Sequence, residues 1–375
     1  MKFVDLFAGC GGMSLGFEMA GFESLSAVEM DPVAAETYGA NRGGKTPIVA
    51  DVRNIQPQDL GITGLTNVVI VGGVPCQGYS LSGNRDPKDP RNSLFMDFLR
   101  IADNSSFSTF VIENVQGILS MKTGSGEWVK DIILSESAKC GYSTKIWILN
   151  AEECGVPQSR RRVFFVGTRS ESQIELPTPH DERLSVWDAI SDLPSIESGE
   201  GKEPSDYASE PLNYYQKWAR IGSAEVFNHI AMKHTHRLID RFKAISNGSG
   251  IGSVSEEHAQ RKRGDASSIS GKVYSQNNYR VFPDKPCPTI AASFQSNFIH
   301  PFKHRNFTAR EAARMQSFPD SYIFKGKRTK MSWEKGLSQY QQIGNAVPPL
   351  MAKVIAEKIE ISASKDKKQN PLNNQ

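Results

Sequence analysis

The chain has 375 residues, 38% of them hydrophobic and 23% charged, an ordinary globular composition long enough for a full core and two domains. A formal net charge of +3 is too small to announce a nucleic-acid partner by itself, and no apolar stretch approaches the ~20 residues of a membrane helix. The five cysteines, at positions 10, 76, 140, 154 and 287, show no CxxC spacing, and the N-terminus lacks a basic-then-apolar leader, so reduced thiols in the cytoplasm are expected.

In chain order, Lys2 to Phe7 reads as a short strand running into Ala8-Gly9-Cys10-Gly11-Gly12-Met13-Ser14-Leu15-Gly16 and a helical pattern, the opening of a doubly wound fold. A second strand ends at Val28-Glu29-Met30-Asp31, a helix runs from about Pro32 to Tyr38, and a third strand ends at Asp51. The β-branched run Val68 to Val71 is a buried strand. The loop Gly72-Gly73-Val74-Pro75-Cys76-Gln77-Gly78-Tyr79-Ser80 leaves its carboxyl end, the edge where open α/β sheets bind ligands. Phe110 to Ile112, Thr144 to Leu149 and Val163 to Gly167 are further strands, and their alternation with helices argues for a parallel sheet. From about Glu171 to His304 prolines, Ser/Gly clusters and basic residues replace that alternation, as in a separate, smaller domain. Within it, from His229 to Arg280, Lys233, Arg237, Arg241, Lys243, Arg261, Lys262, Arg263, Lys272 and Arg280 outnumber the acids, a pattern that suits a phosphate-binding face and a solvated face equally. A helix starts near Thr308, an N-cap with Glu311 at capping-box spacing, and another follows Pro348 and Pro349; Lys365 to Gln375 is polar and reads as disordered.

Candidate chemistry gathers at the strand ends. A lone cysteine is often just a small buried hydrophobe, but Cys76 sits among Pro75, Gln77, Tyr79 and Ser80 on a loop, which favours a reactive thiol. The glycine loop with Glu29 at the end of the second strand resembles a dinucleotide fingerprint whose third glycine is replaced by Ser14. An adenosine ligand without a diphosphate fits better, with close approach at Gly9 and Gly11, Glu29 on both ribose hydroxyls and Asp51 on the adenine amine; solvated strand-end acids are the competing reading. Glu113-Asn114-Val115 puts a carboxylate at the edge that carries Cys76. There it serves either as a helix cap or, kept protonated, as a donor to a ring nitrogen. In Gln158-Ser159-Arg160-Arg161-Arg162, strand alternation places Arg160 and Arg162 on one face, where two guanidiniums suit an anion or a carbonyl oxygen; an Arg-rich edge strand is the alternative. His229, His234 and His236 have no cysteine or acid at ligand spacing, so no metal is expected, and Cys10 and Cys154 read as packing residues.

Taken together, Asp5-Leu6-Phe7-Ala8-Gly9-Cys10-Gly11-Gly12, Pro75-Cys76-Gln77, Glu113-Asn114-Val115, Gln158 to Arg162, Arg310-Glu311-Ala312-Ala313-Arg314-Met315-Gln316 with Phe318-Pro319, and Gln342-Ile343-Gly344-Asn345-Ala346-Val347 resemble, in order and spacing from Lys2 to about Glu357, the motif series of DNA (cytosine-5) methyltransferases. The resemblance implies an α/β fold with a doubly wound, Rossmann-like mixed sheet and a smaller, irregular target-recognition domain. Residues 1–170 and 305–360 would form a discontinuous catalytic domain, 171–304 the target-recognition domain, and 361–375 a disordered tail. It further implies that Cys76 adds to carbon 6 of a cytosine flipped out of duplex DNA, so that carbon 5 can take a methyl group from S-adenosyl-L-methionine. Glu113 would contact ring nitrogen 3 and the exocyclic amine, Arg162 the base carbonyl, and Arg160 would help to ionise the thiol.

For the cofactor, the resemblance implies Phe7 stacked on the adenine, Gly9 and Gly11 at close approach, Glu29 on the ribose, Met30 beside the base, Asp51 on its amine, Val52 and Pro75 lining the pocket, and Asn345 returning to it, which requires the last helices to pack back on the first strand. The loop through Gly83, Arg85, Asp86, Asp89, Pro90, Arg91 and Asn92 would close over the DNA. The implied partners are double-stranded DNA and a cognate restriction endonuclease acting separately, with a monomeric enzyme in the bacterial cytoplasm and the nucleoid as its substrate. A tRNA cytosine-5 methyltransferase shares these motifs, but the long variable domain favours DNA. The first βαβ unit alone also suits a nicotinamide oxidoreductase, against which Ser14 and the Cys76 loop argue. Intact Cys76, Glu113 and Arg162 argue against a binding module without catalysis.

Overall fold

The computed structural model describes residues 1–75, 94–170, 173–262, 265–271, 277–293, 297–330 and 333–369. Contacts divide the chain into two units, one of Met1–Cys154, Arg161–Asp181 and Ala346–Gln375, the other of Gly155–Arg160 and Glu182–Asn345.

The first unit is built on β1 (Lys2–Leu6), β2 (Glu23–Glu29), β3 (Ile48–Val49), β4 (Val68–Gly73), β5 (Phe107–Asn114), β6 (Ser143–Asn150) and β7 (Arg161–Thr168), in the order β3-β2-β1-β4-β5-β7-β6. Strands β3 to β5 pair in parallel, while β7 runs antiparallel to both β5 and β6, so the sheet is mixed. Strand order reverses between β1 and β4, and the carboxyl ends of strands at such a switch point are where doubly wound sheets bind ligands. Val68, Val69, Ile70 and Val71 are all fully buried, as expected of a central strand covered on both faces.

Helices α1 (Gly12–Met19), α2 (Pro32–Ala40), α3 (Leu94–Ala102), α4 (Val129–Lys139) and α5 (Pro349–Gln369) complete the unit. The start of α2 is locally encoded: the Asp31 carboxylate accepts from the Val33 and Ala34 amides and Pro32 takes the first helical position. The C-terminal helix α5 packs on α1, the helix that follows the first strand, and Gly16 permits it. A Cβ at position 16 would lie 2.3 Å from the Pro349 carbonyl oxygen and 2.5 Å from the Ala352 Cβ. The tail expected to be disordered from residue 361 instead continues α5 to Gln369. The burial of Ala352, Ile355, Ala356, Ile359 and Ser362 at helical spacing shows why: the inward face persists after the sequence has become polar. Contacts from Ser170 to Asp366 and from Lys365 to Glu175 extend the attachment.

The second unit carries little sheet. Cys287–Pro288 pairs with Gln158–Ser159, Tyr279–Arg280 with Phe298–Ile299, and Arg261–Lys262 with Asp265–Ile269, around short helices at Val186–Ile190, Tyr214–Ala219, His236–Lys243, Ala309–Met315 and Gln339–Asn345. Buried charges take over part of the work of ladders. Arg314 reaches Asp192 at 3.0 Å and Asp320 at 2.6 Å, with all three side chains fully buried. Arg305 holds Glu311 at 2.7 and 2.8 Å. Burial alone would push the Glu311 carboxyl up, but the Arg305 guanidinium brings it well below the usual carboxylate range. Thr308 and Glu311 form the full capping box that their spacing predicts.

The division differs from the boundary expected at 304/305, because residues 305–345 fall in the second unit. The helix Ala309–Met315 is assembled on the preceding segment: Arg310 donates to the Phe227 carbonyl, Arg314 to that of Ala189, and His229 bonds Thr308. No helix among the described residues is long and apolar enough to cross a membrane.

Candidate active site

The carboxyl end of β1 turns sharply. Phe7, Gly9 and Gly11 all take positive φ, at 64°, 56° and 92°, which glycine accepts freely and a phenylalanine only at a cost of about 1–3 kcal/mol. Hydrogen bonds from the Ala8 amide to the Val28 carbonyl (2.9 Å) and from the Gly11 amide to the Ala8 carbonyl (2.8 Å) hold the turn against β2. Glu29, at the end of β2, closes it: Oε2 accepts the Gly9 amide and Oε1 the Asp31 amide, each at 2.7 Å. Burial pushes the Glu29 carboxyl up, opposed by these two amides. Phe7, Gly9, Gly11 and Glu29 are thus brought together in one loop cluster. Next to Glu29 in the chain, Met30 is 68% exposed. Asp51 caps the turn Val52–Asn54 and is gripped through both oxygens by Arg53, at 2.5 to 3.1 Å, which holds its carboxyl below the usual range. Val52 turns its side chain into the core.

A second cluster forms where β4 and β5 end and the antiparallel β7 begins. Gly72 and Gly73 leave room there: a Cβ on Gly72 would meet the Leu6 carbonyl oxygen at 2.3 Å, and one on Gly73 would sit 3.4 Å from Glu113 Oε2. Glu113 pairs in register with Gly73 on one side and Phe164 on the other. Its Oε1 lies 3.0 Å from Arg162 Nε, with both side chains 12% exposed. Burial lowers the Arg162 pKa and the adjacent Glu113 carboxylate raises it again. The neighbouring Asn114 donates from Nδ2 to the Val74 carbonyl at 3.1 Å, tying the chain just before Pro75 to the end of β5. Pro75 is half-buried at this edge. Cys76 and the loop from Gly83 to Asn92 lie outside the described residues. A paired carboxylate and guanidinium can meet a ring that presents amine and nitrogen on one side and a carbonyl on the other.

In the second unit the arginine expectation is corrected. The strand breaks at residue 160, between Gln158–Ser159 and β7, so the alternation argument does not apply and Arg160 and Arg162 do not share a strand face. Arg160 is 2% exposed and donates to the Ile290 carbonyl at 2.7 Å and the Gly344 carbonyl at 3.2 Å, a positioning arrangement. Two residues not singled out from the sequence complete this knot. Gln158 donates to the Met315 carbonyl (3.1 Å) and to Gln316 Oε1 (2.9 Å) and accepts the Ile290 amide (2.8 Å), while Gln316 donates to the Ile343 carbonyl (2.8 Å). Their only signal in the sequence is motif membership, Gln158 in the motif of Arg160 and Gln316 at the end of the one that starts at Arg310. Asn345 ends the helix Gln339–Asn345 and is exposed. Elsewhere, His229 commits both ring nitrogens, at 2.9 Å each, to Thr308 and the Pro194 carbonyl, and Cys10 and Cys154 are buried. Burial pushes the Cys10 thiol up to about 12.

A family model described as C-5 cytosine-specific DNA methylase matches residues 1–361. Type II methyltransferase M.DdeI of Desulfomicrobium norvegicum is 59% identical over 366 residues, which cover 96% of this chain and 88% of that protein. Type II methyltransferase M1.HphI of Haemophilus parahaemolyticus is 33% identical over 365 residues, covering 96% and 86%. Among solved structures, a prophage-encoded E. coli protein described as a DNA modification methyltransferase superposes with a TM-score of 0.76 at 24% identity, covering 97% of this chain and 99% of that one. At that identity the likeness shows the fold alone.

Proposed function

The chain belongs to the C-5 cytosine-specific DNA methylase family, and on that premise we propose which of its residues carry the reaction on duplex DNA. The observation that carries the assignment is the Glu113–Arg162 pair over Gly73, on the strand that leads into Cys76. An extruded cytosine meets this pair edge-on. The Cys76 thiolate adds to carbon 6, forming a carbon–sulfur bond and sending the displaced electron pair into the ring. Glu113 accepts from the exocyclic amine and shares a proton with ring nitrogen 3, so that the negative charge developing there is met by a hydrogen bond, and Arg162 receives the carbonyl. Carbon 5 becomes the nucleophile and takes the methyl group as the broken sulfur–methyl bond leaves its electron pair on the donor's sulfur; water then takes the carbon 5 proton, and the electron pair it leaves behind expels the Cys76 thiolate. Arg160 acts at one remove, by fixing the main chain at Ile290 and Gly344.

The cluster of Phe7, Gly9, Gly11 and Glu29 fits an adenosine-bearing group: positive-φ backbone at a switch point and a carboxylate beside the glycine amide. S-adenosyl-L-methionine, when bound, supplies the methyl group on a sulfonium. Phe7, Glu29, Met30, Asp51, Val52, Pro75 and Asn345 are the residues proposed to hold it, and the stretch 171–304 to read the target sequence. The biological setting we propose is protection of cytoplasmic DNA from a cognate endonuclease, by a monomeric enzyme.

Expressing the chain and bisulfite-sequencing the host DNA tests this reading. The expected result is one recurring sequence whose cytosine resists conversion, with the resistance lost in Cys76→Ala although DNA is still bound. Retained methylation in Cys76→Ala overturns the nucleophile assignment, and methyl incorporation into tRNA but not duplex DNA overturns the substrate.

A further inference from the structure

Beneath the glycine loop runs a buried chain of hydrogen bonds that the reaction itself does not use. Asp5 on β1 and Ser14 in the first turn of α1 are both completely buried. Ser14 Oγ donates to Asp5 Oδ2 at 2.5 Å, Tyr38 Oη of α2 donates to Ser14 Oγ at 3.3 Å, and Ser24 Oγ of β2 lies 3.3 Å from the same phenol. Asp5 Oδ1 is buried with no hydrogen-bond partner among the described residues, so Ser14 is the hydrogen-bond donor that the structure gives this carboxyl. Arg42 fastens the other side of the loop: its guanidinium stacks 3.9 Å from the Tyr38 ring and donates to the Gly11 carbonyl at 3.2 Å and to Glu18 at 2.8 Å.

Two strands and two helices therefore converge on the segment from Phe7 to Gly12, and the Ser14 hydroxyl joins the strand below it to the helix that leaves it. A partly satisfied buried network is costlier than none, so a chain of this kind persists where it sets a geometry. It also accounts for the residue that breaks the dinucleotide fingerprint, because glycine at position 14 would leave Asp5 without its donor.

We propose that Ser14, acting through Asp5 and Tyr38, is a positioning residue for the cofactor, holding Phe7, Gly9 and Glu29 in the arrangement that receives S-adenosylmethionine. This rests on the reading above that the glycine loop is the cofactor site. Ser14 itself touches neither cofactor nor base; it acts through the loop.

The test titrates S-adenosylmethionine into the full-length chain without DNA, by calorimetry, for wild type, Ser14→Ala and Tyr38→Phe. Losing a hydrogen bond to a buried carboxyl should weaken cofactor binding about tenfold in Ser14→Ala, and losing the donor one step away about threefold in Tyr38→Phe. With duplex DNA present, Ser14→Ala should raise KM for the cofactor by more than it lowers kcat. A merely structural serine would instead lower the melting temperature and the active fraction while leaving Kd alone. A Ser14→Ala protein that is folded by circular dichroism and binds within twofold of wild type overturns the proposal. If Ser14→Ala does not fold, Tyr38→Phe decides, and wild-type affinity there overturns it equally. A wild-type chain that binds no S-adenosylmethionine overturns the cofactor site itself, an outcome distinct from a defect confined to the variants.

Discussion

Truncating Arg162 to alanine would leave the Glu113 carboxylate facing Gly73 without its counter-charge. The two side chains lie 3.0 Å apart and each keeps only 12% of its exposure. Breaking a buried pair by deleting one partner costs about 3–5 kcal/mol, and the remaining solvent contact places Arg162→Ala near the lower figure, about 3 kcal/mol. Glu113→Gln keeps an acceptor oxygen for Arg162 and should cost less, about 1.5 kcal/mol. Because the pair is one unit, the double variant should fall short of the sum by at least about 1 kcal/mol. Urea unfolding of the four proteins, followed by circular dichroism, measures this coupling. In parallel, steady-state methylation of duplex DNA should show Glu113→Gln losing about 10²- to 10³-fold in kcat, the scale for removing a group that stabilises developing charge, with little change in KM for the cofactor. Strictly additive stabilities would refute the pairing, and a defect limited to cofactor affinity would refute the placement of Glu113 against the base.

Two further perturbations follow from buried charge. Burial pushes the Asp5 carboxyl up to about 7 from an ordinary carboxylate value, with Ser14 and Arg42 pulling it down and Glu29 and Glu18 pushing it further up. The folded chain therefore keeps a proton that the unfolded chain has lost between about pH 4 and 7, so this group's contribution to stability falls as pH rises through that window, by up to roughly 4 kcal/mol, and is flat above it. Asp5→Asn should remove that slope from the difference in unfolding free energy between wild type and variant, and an unchanged slope would count against the burial argument. Arg314→Ala should cost about 3–5 kcal/mol by leaving Asp192 buried with Arg220, and Asp320 with Arg310 and the Tyr207 hydroxyl; a urea midpoint equal to wild type would show that the triad contributes nothing.

Most of the first unit was legible in the residues. β-branched runs marked β4, β5 and β7 to within a few positions, Asp31-Pro32 marked the start of α2, and in the second unit Thr308 with Glu311 marked a capping box, because each of these depends on neighbours within one turn or one strand. The placement of Glu29 at the strand end beside the glycine loop was legible for the same reason, since strand, turn and helix together fix where the second strand must end, whereas its bond to the Gly9 amide was not. Helices α3 and α4 escaped notice, and the inward face of α5 was hidden by the lysines around it.

By itself the sequence determined the succession of the main strands of the first unit and several helix caps, and it supplied the residues proposed to carry chemistry. Only the tertiary structure decided what each buried polar group does. Arg160 read as the partner of Arg162, two positions on, yet it is spent on carbonyls 130 and 184 residues away. Ser14 read as a defect in a glycine motif and is the donor to a buried carboxyl on the preceding strand. The physical reason is common to both: a strand or a cap is decided by local geometry, whereas a group removed from water must be satisfied by whichever distant segment the fold delivers to it.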